Sequence, residues 1–127
     1  MARLCRSLAK WMPLLLLAWA ASGITAAVNA ADLVFELRIE GGFVPAAQRL
    51  IRVTQGDKVT LRWRTDEPMV LHLHGYDIEK RVEPGSVAEM TFDARATGRF
   101  PIVAHAFGTA GRAHEEIALA HVEVYPN

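Results

Sequence analysis

Two histidines stand one residue apart in "VLHLHGYD" (70–77). On a strand, residues i and i+2 point to the same face, and their Cα atoms lie roughly 6.5–7 Å apart. Two neutral imidazoles at that separation can converge on one metal ion, imidazole being the commonest metal ligand. Leu71 and Leu73 occupy the other face, so a core beneath the strand does not need His72 or His74. Without a metal, the same residues are a pair of half-exposed, hydrogen-bonded histidines. Gly75 lets the chain turn or another backbone come close. Asp77 reads as a turn residue that could also orient a histidine.

Three further histidines follow. His105 comes after "GRFPIVA", His114 lies in the glycine-rich "GTAGRAHEE", and His121 alternates along the closing "IALAHVEVYP" as a surface residue. Glu115 and Glu116 flank His114 and read as solvated charges that could supply an oxygen ligand or accept from a ligating histidine. Met69 carries a thioether suited to Cu(I), but at the edge of an apolar run it reads as packing. The chain has one cysteine, Cys5. A site of imidazoles without thiolate favours Cu(II) ahead of Cu(I), with zinc the next candidate. No Ser/His/Asp arrangement is visible, so the reading is of a protein that is not an enzyme.

The elements that must hold these side chains begin after the first thirty residues. "MARLCRSLAK" carries Arg3, Arg6 and Lys10 and no acid, "WMPLLLLAWAA" is a short apolar run, and Val28-Asn29-Ala30 is small-x-small. That is the plan of a secretory signal peptide, residues 1–30, cleaved near Ala30 to leave a periplasmic or otherwise exported domain of residues 31–127. The apolar run is short against the roughly 20 residues of a membrane span, so the mature form is expected not to be membrane-embedded. It would keep 11 Lys+Arg against 14 Asp+Glu, a net charge of −3. With no basic patch, nucleic acid is excluded as a partner. Cys5 leaves with the leader, so neither a disulfide nor a thiolate ligand can form.

The mature segment alternates with period two. "LVFELRIE", "RLIRVTQGD", "KVTLRWRT", "MVLHLHGYD", "VAEMTFDA", "IVAHAF" and "IALAHVEVYP" read as strands, separated by turns such as "GG", "QGD", "DEP" and "EPGS". Seven or eight short strands at this spacing predict an all-β sandwich or barrel. Trp63, Phe43, Phe92 and Phe100 read as core aromatics, and Met90 as core.

The order of these pieces resembles the cupredoxin family. "FVPAAQRLIRVTQGDKVTLRWRTDEPMVLHLHGYD" is similar to that family's opening, through the strand with the first histidine ligand. "VEPGSVAEMTFDARATGRFPIVAHAF" and "LAHVEVYP" are similar to its later segments. The resemblance spans most of residues 31–127 and implies a Greek-key β-sandwich that handles copper. The site departs from the family pattern. The cysteine ligand should fall near Ala104, with His105 next to it, and His114 lies in the loop that carries the family's second histidine and methionine. "AHAFGTAGRAHEEIALAHV" holds no Cys and no Met, so a blue-copper centre, which needs His₂Cys ligation, cannot form. The resemblance is therefore to a cysteine-free, histidine-rich variant, with His72, His74, His105 and His114 as the expected metal ligands. The expected function is an exported copper-binding protein for storage, delivery or protection, with another exported copper-handling protein as its potential partner. The alternative is a protein-interaction module of the same fold, with "HLHG" on a partner-binding surface.

Overall fold

The computed structural model describes residues 29–106 and 117–127. Within them lie eight strands: β1 (Asp32–Ile39), β2 (Leu50–Thr54), β3 (Lys58–Thr65), β4 (Met69–Leu73), β5 (Ile78–Val82), β6 (Ala88–Asp93), β7 (Gly98–Ala106) and β8 (Ala118–Tyr125). A single 3₁₀ turn, Ala46–Gln48, precedes β2. The all-β expectation of seven or eight strands holds. The leader expected over 1–30 falls almost wholly outside the described residues. Among those residues, no helix is long and apolar enough to cross a membrane.

The strands form two mixed sheets, one ordered β1-β3-β6 and the other β2-β8-β7-β4-β5. β1 runs parallel to β3, and β2 parallel to β8; the remaining pairs are antiparallel. Alternation explains why the sheets stack. β3 buries Val59, Leu61 and Trp63 and turns Thr60, Arg62 and Arg64 outward, while β6 buries Met90 and Phe92. Against them the second sheet sets Ile51 and Val53, Leu71 and Leu73, Ile102, and Val122 and Val124. Each large apolar side chain taken fully from water contributes about 1.5–3 kcal/mol, so the shared interior holds the layers together.

Among the described residues, Asp57 is the buried charged one. Its carboxylate accepts the Thr54 amide at 2.8 Å and the Ala31 amide at 3.1 Å, which ties the β2–β3 turn to the start of β1.

Two sequence expectations are corrected. Phe43 is not a core aromatic: it is 63% exposed. Gly41 and Gly42, both at positive φ, form a tight turn closed by the Glu40–Phe43 bridge, and this leaves the ring on the solvent side. Trp63 and Phe92 are buried and Phe100 packs against the core as a half-buried ring. The second correction is β5. "IEKRV" was not read as a strand, because three of its five residues are charged; as the sheet's edge strand it turns in only Ile78 and Val82.

Candidate metal centre

His72 sits on β4, between the edge strand β5 and the central β7 of the second sheet, in register with Glu79 on β5 and Val103 on β7. Its neighbours Leu71 and Leu73 are fully buried, so alternation places His72 on the outer face. β4 ends at Leu73, which makes His74 the first residue of a turn and not a strand residue as expected. The pairing survives that change. The His74 amide donates to the Pro101 carbonyl at 3.0 Å, which extends the ladder by one step. The two imidazole rings lie 4.3 Å apart between centroids, tilted by 35°.

The turn after β4 is pinned from below. Gly75 has φ +85°, and a Cβ there would stand 2.4 Å from Phe100 Cδ1. Only a bare glycine lets the Phe100 ring lie against this backbone. Tyr76 dives into the core, edge-on to Phe100 at 4.9 Å and tilted against Phe92 at 4.8 Å. Its hydroxyl donates to the Ala96 carbonyl at 3.3 Å, and the Arg95 guanidinium lies 5.9 Å from the ring centroid. Asp77, at φ +55°, then returns toward the histidines, with Oδ1 3.7 Å from His72 Nε2. The Asp77 carboxylate is fully exposed, so water screens this contact.

His105 lies on β7 opposite Val70, two pairs along from Val103 and His72. It shares the outer face with His72 as a diagonal neighbour, a relation that spans roughly 7–8 Å between Cα atoms. His121 is also on this face, in register with Pro101 and Leu50. Its surroundings differ. Partial burial, then the nearby Arg99 guanidinium, hold its imidazole below the ordinary histidine pKa against an opposing pull from Glu123. The Tyr125 hydroxyl donates to Glu123 at 2.8 Å, and Arg52 and Arg99 stand 3.5 and 3.8 Å from that carboxylate. These donors and charges, the Tyr125 hydrogen bond foremost, lower the Glu123 pKa.

The four described histidines thus share one sheet face, and the structure brings His72 and His74 into contact. His114, Glu115 and Glu116 lie outside the described residues. Among the described residues, no group of three or more His, Cys, Asp or Glu side chains is arranged to hold a metal ion. Met69 is buried in the core and packs there. Ala104, where the family's cysteine would fall, pairs with Leu71 and packs against the core. That position offers no donor, and a blue-copper thiolate site does not fit. A two-nitrogen platform for Cu(II) or Zn(II) does fit the donors present. Sequence reasoning missed the anchoring roles of Tyr76 and Phe100. It also missed Glu79 beside His72, which the pattern reveals only once β5 is known to pair with β4.

No protein-family model matches the chain, and no curated protein matches it as a relative. Solved structures do. A heme-copper terminal oxidase dimer is 20% identical with a TM-score of 0.56, covering 73% of this chain and 65% of that one. A multi-copper oxidase from Pseudomonas thermotolerans is 22% identical with a TM-score of 0.56, covering 77% of this chain and 30% of that one. A blue copper oxidase from Nitrosomonas europaea is 20% identical with a TM-score of 0.56, covering 76% of this chain and 39% of that one. The chain spans less than two thirds of the length of each of these proteins. Identities this low speak to architecture alone, and together with the two stacked mixed sheets they make the domain a cupredoxin-like β-sandwich.

Proposed function

We propose that the chain is an exported copper-binding protein for storage, delivery or protection, holding Cu(II) through nitrogen ligands on the outer face of its five-stranded sheet. The observation that carries this reading is the His72–His74 pair, whose ring centroids lie 4.3 Å apart where β4 enters a pinned turn. At that separation each ring can turn a nitrogen toward one ion. Asp77 Oδ1 lies 3.7 Å from His72 Nε2, so His72 would hold the ion through its other nitrogen, Nδ1, with the exposed carboxylate behind the ring. His105 joins the site as the diagonal neighbour of His72. His114 remains in the proposal on its place in the sequence. The copper-handling names among the structural neighbours support the choice of metal, and zinc is the competing ion. The proposal is of a binding protein, with catalysis left to others.

The test is titration of Cu(II) into the purified, metal-free protein, followed by EPR and visible absorption. One tight site is expected, with nitrogen-type parameters and no intense thiolate-to-copper band. Replacing both His72 and His74 by Ala should abolish it. Each ligand must be neutral, so affinity should fall as the solution is acidified. Absence of binding at micromolar protein refutes the metal reading. In that case, loss of a protein partner in the double variant would favour the interaction module.

A further inference from the structure

The outer face of the three-stranded sheet carries its charges in rungs. Register sets Asp32, Lys58 and Asp93 side by side on β1, β3 and β6, and further along Glu36, Arg62 and Glu89. In the second of these rungs the Arg62 guanidinium donates to both acids, at 2.7 Å to Glu36 and 3.1 Å to Glu89. Each rung is acid, base, acid. The last rung departs from this order. Arg38 on β1 lies directly opposite Arg64 on β3. No acid of β6 stands beside them, because that strand begins at Ala88, level with Trp63. Like charges directly opposite destabilise a strand pair.

Arg38 is met by Glu40 at 2.5 Å. Arg64 is exposed, and among the described residues no carboxylate lies within ion-pair distance of it. It lines a half-open cleft of about 450 Å³ together with Arg38, Glu40, Thr65, Asp66, Gly85 and Ser86. The Asp66 carboxylate is already engaged, accepting the Gly41 amide at 2.8 Å. Gly85, at φ +81°, has nothing within 4 Å of where a Cβ would stand, so the floor of the turn is open.

We propose that this cleft binds a small, singly charged oxyanion, a carboxylate in first place, gripped through both oxygens by the Arg64 guanidinium. The planar fork of a guanidinium matches a carboxylate bidentately. The bound anion takes the place that Glu89 and Asp93 fill in the other rungs and gives Arg64 the counter-charge that Glu40 already gives Arg38. Glu40 and Asp66 also line the cleft and balance its two arginines, which favours a monoanion over a dianion. The site is on the opposite sheet from the histidines and does not depend on a metal.

The experiment is thermal unfolding of the metal-free protein with acetate, phosphate or chloride added at matched ionic strength and fixed neutral pH. Acetate should raise Tm saturably and chloride should not, with phosphate weaker than acetate. Arg64→Gln should weaken the acetate effect at least tenfold in midpoint concentration. Lys58→Gln, on a balanced rung of the same face, should leave it unchanged. A saturable effect that survives Arg64→Gln, or none in the wild type, overturns the proposal. Phosphate acting at lower concentration than acetate overturns its charge selectivity.

Discussion

His121 sits where a proton is unwelcome. Burial and Arg99 lower its pKa, with Glu123 pulling the other way and Arg52 paired to that glutamate. In the unfolded chain the imidazole titrates near its ordinary value of about 6.5. Between that value and the lower folded one, the unfolded state takes up the proton and the folded state does not. The stabilisation is therefore full above about pH 6.5 and is lost as pH falls below it. Urea midpoints of the metal-free protein should drop between about pH 7.5 and about pH 5.5. His121→Gln should flatten that drop; an unaltered slope would mean that other groups govern it. Single residues were unevenly legible in the sequence. Trp63 could be placed in the core because it shares a face with Leu61 and Val59, alternating with Thr60, Arg62 and Arg64. Phe43 could not, since a ring beside two glycines follows the geometry of its turn and not a period.

At the scale of elements, the turn from His74 to Asp77 sets the candidate site. Gly75→Ala would meet the Phe100 ring and also force a Cβ into the left-handed region. We expect a loss of about 2–4 kcal/mol, read as a lower midpoint in chemical denaturation, and a weaker affinity for Cu(II), because Gly75 and Phe100 fix the turn that His74 opens. Unchanged stability would show that the ring is free to move aside. The strands with clean alternation, β1, β3, β4 and β6, were readable from sequence because one face of each is buried and the other is wet. β5 was hidden by its charges. β7 was foreshortened by Pro101, which breaks strand patterns. In the fold that residue's carbonyl accepts the His74 amide, so its ring nitrogen faces the turn beyond β4 and costs the β8 ladder nothing. The pairing of His72 with His74 followed from spacing, whereas the positions of Glu79 and His105 beside them required strand register.

For the molecule as a whole, a ligand held only by the folded state stabilises that state with the logarithm of its excess over Kd. Cu(II) at a hundredfold excess should add about 2.7 kcal/mol. The added stability should vanish in the His72→Ala, His74→Ala double variant and fade in acid. Denaturant midpoints with and without the ion provide the check, and an equal gain in the double variant would move the metal elsewhere. The order of strands has another consequence. β8, the last strand, lies inside its sheet, between β2 and β7. Its partner β2 pairs with it in parallel from far upstream, Leu50 with His121 and Thr54 with Tyr125. A growing chain therefore carries β2 as an unpaired edge until the end of β8 has left the ribosome. Such distant pairings form slowly. The five-stranded sheet is therefore completed only when β8 slots between β2 and β7, and until that moment β2 has no strand to pair with.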